Sequence, residues 1–313
     1  MHSDSSFTRV LGRTRGQLFV LFSLLFLGIA FGLARPQAVL HGQSTGGLKV
    51  FISVDMEGVA GVVHWDETSQ PGPDYAYFRR LMSVEANAAV LGAFDAGATE
   101  VVVRDSHGSA RNILPDLLDP RARLIRDWSG GPKVMMEGID ETFHAVVFIG
   151  YHARAGTPNA ILDHTSTGNV VDFAINGQSL PEAGYNALIA GKYGVPVVFV
   201  AGDEAICLQV KDLFGDIPTV ATKRGIGEAT DGLHPETAAG LIRTGVAEAL
   251  RQRDRMRPFT MTPPYTLVLK LKNEASVHAG SFFPGARRTG DWEITFTADD
   301  ILEVMYAFNV LKR

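Results

Sequence analysis

The stretch Val50-Phe51-Ile52-Ser53-Val54-Asp55-Met56-Glu57-Gly58 joins a short apolar run to two carboxylates and a glycine. Runs rich in Val and Ile occur at 48–54, 100–104, 144–149 and 195–200. Apolar residues at helical spacing lie between them, and strands that alternate with helices indicate a mainly parallel sheet flanked by helices. The near-continuous apolar character of the strands favours a sheet that is covered on both faces. We therefore predict an α/β fold.

Side chains that commonly bind metals follow three of these runs. Asp55 and Glu57 follow the first run, His107 the second and His152 the third. Because ligands bind beyond the carboxyl ends of parallel strands, we expect these four side chains to converge. Two carboxylates with two imidazoles are typical of a transition-metal site, with zinc as the best candidate. Taken alone, the acid pair is explained equally well by a helix N-cap with a second acid near the helix dipole.

Three more residues are candidates for the site. His164 lies in a Gly-, Thr- and Asn-rich loop and is either an acid–base group or an exposed loop residue. Glu182 stands in the first turn of a predicted helix, where an acid is common without any function. Asp203 follows the fourth apolar run and could bind a substrate amine or orient a metal ligand. Its competing role, N-cap of a helix over 204–212, is the interpretation that we slightly favour.

The composition restricts the class of function. The chain has 313 residues, a formal net charge of -5 and no basic stripe, so nucleic-acid binding has no electrostatic support. The single cysteine, Cys207, excludes an intrachain disulfide and a Cys-rich zinc site. No G-x-G-x-x-G follows the first strand, and acids stand where a phosphate would lie, which argues against a dinucleotide-binding enzyme.

Residues 1–47 differ in composition from the rest of the chain, residues 48–313, which we call the body. Arginines precede an uncharged apolar run over 18–33, and small residues permit cleavage after Ala34. We interpret this as a signal peptide followed by a flexible leader, so the protein is expected to be exported to the periplasm or secreted. An uncleaved membrane anchor is the alternative. Without residues 1–35 the body has 25 Lys and Arg against 33 Asp and Glu, a net charge of -8.

The hydrophobic pattern changes in the C-terminal part of the chain. Residues 265–271 and 292–297 alternate apolar and polar side chains, which is typical of strands with one solvated face. We predict an α/β metal-binding catalytic domain over 48–258 and a small α+β domain over 259–313.

An ordered set of motifs resembles the zinc-dependent D-aminopeptidase family of the dipeptide-operon type. The resemblance begins with Ser53-Val54-Asp55-Met56-Glu57-Gly58, which matches the signature S-x-D-x-E-G. The further matching motifs are Asp105-Ser106-His107-Gly108, Gly150-Tyr151-His152-Ala153, Asp163-His164-Thr165, and Asn176-Gly177 with Glu182 and Asn186-Ala187. Each motif is weak by itself, but their order is specific, and together they span nearly the whole body from about residue 49.

This resemblance implies a site and an activity. The implied ligands of two zinc ions are Asp55, Glu57, His107, His152 and Glu182. Asp55 would bridge the two ions, and His164 would be the catalytic histidine. The implied reaction releases N-terminal D-amino acids, D-Ala in particular, from short peptides or amides, in a decameric ring. The alternatives are a metallohydrolase acting on L-peptides or other amides, and a periplasmic metal- or peptide-binding protein, which would have no use for His164.

The N-terminal pattern makes a prediction that cell fractionation can test. We expect cells expressing the full chain to export it, because a basic segment followed by an apolar run directs secretion. N-terminal sequencing of the exported product should find a start near Arg35 or Val39. Intact Met1 in the membrane fraction would favour the anchor, and an intact soluble cytoplasmic product would contradict export.

Overall fold

The computed structural model describes residues 46–313. The predicted signal or anchor and nearly all of the leader lie outside the described residues. Among residues 46–313, no helix is both long enough and apolar enough to cross a membrane.

Within this range the strands are β1 (Leu48–Val54), β2 (Ala98–Asp105), β3 (Arg123–Ile125), β4 (Ala145–Tyr151), β5 (Val170–Ile175), β6 (Gln178–Ser179), β7 (Val197–Asp203), β8 (Thr219–Ile226), β9 (Ala229–Gly232), β10 (Tyr265–Leu271), β11 (Arg287–Gly290) and β12 (Glu293–Ala298). The helices are α1 (Trp65–Thr68), α2 (Tyr75–Asp95), α3 (Glu182–Lys192), α4 (Glu204–Phe214), α5 (Pro235–Arg251), α6 (Glu274–Gly280) and α7 (Ile301–Leu311). Short 3₁₀ turns lie at Pro115–Leu117, Val134–Met136 and Arg253–Arg255.

The larger sheet has the strand order β3-β2-β1-β4-β7-β8-β9. All neighbouring strands pair in parallel except β8 and β9, which are antiparallel. From β1 the chain first builds outward through β2 and β3, and then returns to place β4 on the other side of β1. This reversal creates a topological switch point between β1 and β4, where the loops leaving the two strands diverge and open a crevice. The predicted fold class, a mainly parallel sheet flanked by helices with a smaller α+β part, is confirmed.

Both faces of this sheet are covered, as the apolar strands predict. Val50 and Ile52 of β1 pack in a core with α2 and α5, whereas Phe51 belongs to a second core with α3, α4 and β10. The alternation follows from the two-residue period of a strand. Phe51 is fully buried, which stabilises the fold by about 1.5–3 kcal/mol per side chain of this size.

A second, antiparallel sheet lies against the core that contains Phe51. Its strand order is β11-β12-β10-β5-β6. The alternation predicted for 265–271 is present, because Leu267, Leu269 and Leu271 of β10 are buried in this core. The sheet draws β5 and β6 from before residue 258 and β10 to β12 from after it, so it spans the predicted boundary at 258/259. The division into two domains itself stays a prediction.

Two element boundaries differ from those expected from the sequence. The helical spacing of the apolar residues over 83–96 predicts a helix that begins at Ser83, but α2 begins earlier, at Tyr75. The stretch Ser179-Leu180-Pro181-Glu182 predicts Ser179 as the N-cap of the next helix, but the N-cap of α3 is Pro181. Ser179 is unavailable as a cap because it pairs with Ala174 as part of β6.

Two glycines allow the loop after β1 to touch the end of β4. The N–H of Gly58 donates to the carbonyl oxygen of Gly150 at 2.8 Å. A Cβ atom at Gly58 would lie 1.9 Å from the carbonyl oxygen of Tyr151, and one at Gly150 would lie 2.2 Å from that of Asp55. Gly150 also has a φ of +70°, a conformation that suits glycine. Side chains at these positions would separate the segments that carry Asp55 and His152.

Gly58→Ala should therefore lower the free energy of unfolding by about 1–3 kcal/mol, the usual cost of overpacking a tight contact. The matched control is Gly240→Ala in α5, where a Cβ has no neighbour within 4 Å. That change should stabilise the helix by about 0.5–1 kcal/mol. Urea denaturation of both variants measures the two effects. A Gly58→Ala protein as stable as the wild type would show that the close contact between the loop after β1 and the end of β4 does not contribute to stability.

Candidate metal centre

The predicted site residues converge at the switch point. Asp55 and Glu57 follow β1, His107 follows β2 and His152 follows β4, as the strand-end argument requires. Glu182 reaches the same place as the first residue of α3, and His164 reaches it from the loop between β4 and β5. These residues surround or underlie a cavity of about 430 Å³, which is also lined by Trp128, Met135, Ser166, Tyr185, Asn309, Lys312 and Arg313.

The Asp55 carboxylate stands between two of the histidines. Its Oδ1 lies 3.1 Å from Nδ1 of His107, and its Oδ2 lies 3.6 Å from Nε2 of His152. Oδ1 also accepts from the N–H of Met56 at 2.9 Å, which fixes the orientation of the carboxylate. Each oxygen of Asp55 thus faces a different imidazole, which is the arrangement that a carboxylate bridging two cations needs.

Two glutamates complete the cluster on either side of His164. Oε2 of Glu57 lies 3.0 Å from Nδ1 of His107, and its Oε1 lies 4.0 Å from Nε2 of His164. Oε1 of Glu182 lies 3.7 Å from Nε2 of both His152 and His164. The rings of His152 and His164 stack with centroids 4.1 Å apart, and the ring of Trp65 packs edge-on against His164 at 5.3 Å. The packing holds the His164 ring in place inside the cluster.

Backbone carbonyl groups fix the tautomer of each histidine. The His107 ring donates from Nε2 to Thr68 O at 2.7 Å. His152 and His164 donate from Nδ1 to Ala153 O and Leu162 O, each at 2.9 Å. A carbonyl oxygen only accepts, so in each ring the nitrogen that faces the carboxylates has a lone pair available when the imidazole is neutral. Such outer hydrogen bonds are characteristic of histidines that bind metals.

The cluster has the features of a site for cations. Oε2 of Glu57 and Nε2 of His152 are buried and make no well-aligned hydrogen bond with any part of the chain that the structure describes, although Oε2 lies 3.0 Å from Nδ1 of His107. The ligand atoms of Asp55, Glu57 and His152 lie within 4.8 Å of one another, and so do those of His152, His164 and Glu182. Buried polar atoms without partners are costly. These carboxylate and imidazole donors are the types that zinc prefers, so the residues fit the ion.

The electrostatics of the metal-free cluster reflect the crowding of like charges. Burial, with the nearby charge of Glu57, raises the pKa of Asp55 to about 8. Burial opposes ionisation of Glu57 as well, but His107 holds the pKa of Glu57 well below its usual value. Burial would lower the pKa of His152, yet Glu182 and the other two carboxylates raise it to about 9. When no metal is bound, a proton on Asp55 and the protonated imidazoles of His107 and His152 therefore offset the negative charge of the cluster.

Buried groups beneath the site hold its loops. Nζ of Lys223 donates to the carbonyl oxygens of Glu57 at 2.5 Å, of Val59 at 2.9 Å and of Val62. On the same loop, the N–H of Ala60 donates to Oε1 of Glu85 at 2.9 Å. The Lys223 side chain is buried, and its hydrogen bonds hold the loop that carries Glu57.

The motif residues around the ligands also have structural partners. Ser53 Oγ lies 2.7 Å from Ser106 Oγ and 2.8 Å from the Tyr151 hydroxyl, so these side chains form a buried hydroxyl network at the ends of β1, β2 and β4. Asp105 accepts from the backbone N–H of Asn112 at 2.6 Å, and the side-chain amide of Asn112 donates to His107 O. Ser53, Ser106 and Asp105 stand beside the proposed ligands in the sequence motifs, and this position could have indicated that they support the site.

Asp203 lies at the end of β7 and is the N-cap of α4, since its Oδ1 accepts from the N–H of Ile206 at 2.8 Å. Its other oxygen accepts from the N–H of Ile161 at 3.3 Å. The capping role that the sequence favoured is present. Binding of a substrate amine by Asp203 stays a prediction.

The fold and the cluster together define an α/β protein with a candidate metal centre of Asp, Glu and His residues at its switch point. The D-aminopeptidase family, peptidase family M55, matches residues 48–310. A D-aminopeptidase from Bacillus subtilis (strain 168) is 36% identical over 268 residues, which cover 84% of this chain and 96% of that protein. The solved structure of the Zn-dependent D-aminopeptidase DppA from Bacillus subtilis, described as a self-compartmentalizing protease, superposes with a TM-score of 0.81. It is 35% identical and matches 84% of this chain and 96% of its own.

The chain belongs to the D-aminopeptidase family M55. The resemblance drawn from the ordered motifs and the prediction of an enzyme of this family are confirmed.

Proposed function

We propose that the protein is a zinc-dependent aminopeptidase that releases N-terminal D-amino acids, D-Ala above all, from short peptides or amides. The observation that carries the proposal is the arrangement around Asp55, whose two oxygens face His107 and His152 within a cluster that also includes both glutamates. We propose two zinc ions held by Asp55, Glu57, His107, His152 and Glu182, with Asp55 shared between them.

When bound, zinc supplies Lewis-acid chemistry, which polarises a carbonyl group and makes water a stronger nucleophile near neutral pH. The carboxylates of the cluster provide the negative charge that attracts the amino group of a peptide. The cavity confines the substrate, so that its amine and scissile carbonyl are held together in one orientation.

His164 is the group that we assign to proton transfer. Burial and the neighbouring His152 lower the pKa of His164, so its imidazole is neutral near pH 7. Because Nδ1 donates to Leu162 O, the basic nitrogen is Nε2, which faces Glu57 and Glu182. Nε2 would accept a proton from the attacking water and deliver it to the departing nitrogen.

Other observations support proposals about the assembly and the compartment. DppA is described as a self-compartmentalizing protease, and it matches 84% of this chain. We propose that this protein also forms a homo-oligomer, a decamer by the family resemblance, and that its N-terminal segment directs export. An exported enzyme of this kind would act on short peptides outside the cytoplasm.

The activity test compares matched D- and L-substrates on zinc-loaded protein. A site that fixes the amine, the carbonyl and the scissile nitrogen leaves one direction for the side chain, and small misplacements are expensive. We expect a higher kcat/KM for D-Ala amide and D-Ala dipeptides than for their L counterparts. Equal rates or a preference for L would leave a zinc hydrolase without the D-selectivity. Failure to hydrolyse either series would favour a binding protein.

The metal stoichiometry has a separate test. Elemental analysis after dialysis should find about two zinc ions per chain in the wild type, as in other paired-metal sites. Asp55→Ala should lower the occupancy of both positions, because the shared ligand is lost. Asp254→Ala, whose side chain is 92% exposed, is the matched control and should keep full occupancy. Full metal content in Asp55→Ala would contradict the bridging role.

The role of His164 is tested by His164→Ala, with the exposed His278→Ala as control. His164→Ala should retain its zinc and its fold but lose activity by about 10²–10⁴-fold, the usual contribution of a positioned acid–base group. Steady-state kinetics and elemental analysis on the same samples separate the outcomes. Loss of zinc would make His164 a metal ligand, and near-normal rates would remove it from the mechanism.

A further inference from the structure

The cavity beside the metal centre is lined by basic side chains that have no role in the proposed reaction. Among its lining residues the only lysine or arginine side chains are Lys312 and Arg313, which follow α7. Arg313 is exposed, whereas Lys312 is half-buried. The same cavity is lined by the carboxylates of Asp55, Glu57 and Glu182, so it is acidic at the metal centre and basic at the end of α7.

The ammonium group of Lys312 is poorly supplied with partners. Nζ donates to Ser166 Oγ at 2.7 Å and lies 5.1 Å from the centre of the Phe308 ring. Within residues 46–313, no carboxylate lies within the 4.0 Å of Nζ that would make an ion pair. An ammonium has three N–H donors, and a partly buried charge without a counterion is unfavourable. Lys312 thus presents unused donors and an unbalanced charge beside the cavity.

The position of Lys312 suits an anion at one end of a short peptide. Ser166, which accepts from Lys312, donates its own N–H to Oε1 of Glu182 at 2.5 Å. The cation is therefore separated from a proposed metal ligand by a single residue. An extended peptide advances by about 3.3–3.6 Å per residue, so a carboxylate one or two residues beyond the scissile bond would reach this region.

We propose that Lys312 binds the C-terminal carboxylate of the substrate and makes the enzyme selective for dipeptides and tripeptides with a free carboxylate. This inference rests on the proposed aminopeptidase function and deepens it. The amine end of the substrate would lie at the acidic metal centre and the carboxylate end at Lys312. Longer peptides, whose carboxylate lies beyond Lys312, would lose this contact.

The experiment compares D-alanyl-D-alanine with its C-terminal amide, which differs only in lacking the negative charge. The wild type should have a higher kcat/KM for the free acid. Lys312→Met should lower kcat/KM for the acid by about 10- to 100-fold, as expected for a lost hydrogen bond to a charged group, and should leave that for the amide nearly unchanged. Lys211→Met, the same change at an exposed position of α4, should retain the wild-type ratio.

The outcomes separate recognition of the carboxylate from a purely structural role. Equal losses for acid and amide would show that Lys312 only supports Ser166 and would overturn the inference, as would an unchanged acid-to-amide ratio. Calorimetric binding of the two dipeptides to zinc-loaded His164→Ala protein, with and without Lys312→Met, gives a second readout. If the wild type cleaves neither dipeptide, the proposed function fails. The calorimetry still tests Lys312 in that case: tighter binding of the acid that is lost in Lys312→Met supports the inference, and equal binding of acid and amide overturns it.

Discussion

The structure depends on the burial of three carboxylates at one point. Asp55, Glu57 and Glu182 are each almost inaccessible to solvent, and all three lie within 4 Å of an imidazole. Like charges brought together in a region of low dielectric constant repel one another, and positive charge must enter to balance them. In the metal-free cluster, a proton on Asp55 removes one negative charge, and protonated His107 and His152 supply positive charge. The donor set suits metal ions for the same purpose. Metal binding to the folded state alone would then add to its stability.

Much of the surrounding structure keeps these charges at a fixed separation. The two strands on either side of the switch point can approach because Gly58 and Gly150 have no side chains in the contact. Lys223 satisfies carbonyl groups of the loop after β1, and its own burial lowers its pKa to about 8. Glu85, whose pKa is raised by burial to about 7, accepts from the same loop. The loop is therefore held by buried groups from α2 and β8 that never touch the cavity.

The sequence predicted the convergence of Asp55, Glu57, His107 and His152 because strand ends are a local feature, visible as an apolar run followed by a polar side chain. It gave the position of Glu182 only through the family resemblance, since an acid in a first helical turn is commonplace. The bounds of α2 were also beyond what the local sequence could predict. Its buried residues include Ala86, Ala89 and Ala93, and Gly92 lies so close to α5 that a Cβ there would be 2.4 Å from the carbonyl oxygen of Arg243. Hydrophobicity alone does not mark such small residues as buried.

Contacts between distant parts of the chain could not be predicted from local patterns. Lys312 and Ser166 are 146 residues apart, and Lys223 and Glu57 are 166 apart. In both pairs the local sequence around the lysine gives no sign of its partner, and only the tertiary fold brings the two residues together. Burial of a lysine depends on carbonyl groups or anions supplied by other elements, so its role is a property of the packing and not of its neighbours in sequence.

We propose that the buried cluster holds two metal ions that share Asp55. Anomalous diffraction at the zinc absorption edge, from crystals of zinc-loaded protein, tests this claim most directly because it locates each ion relative to the side chains. We expect two peaks per chain, one on each side of the Asp55 carboxylate, with His107 beside one and His152 beside the other. A single peak in the cluster, or zinc bound only elsewhere on the molecule, would contradict the claim.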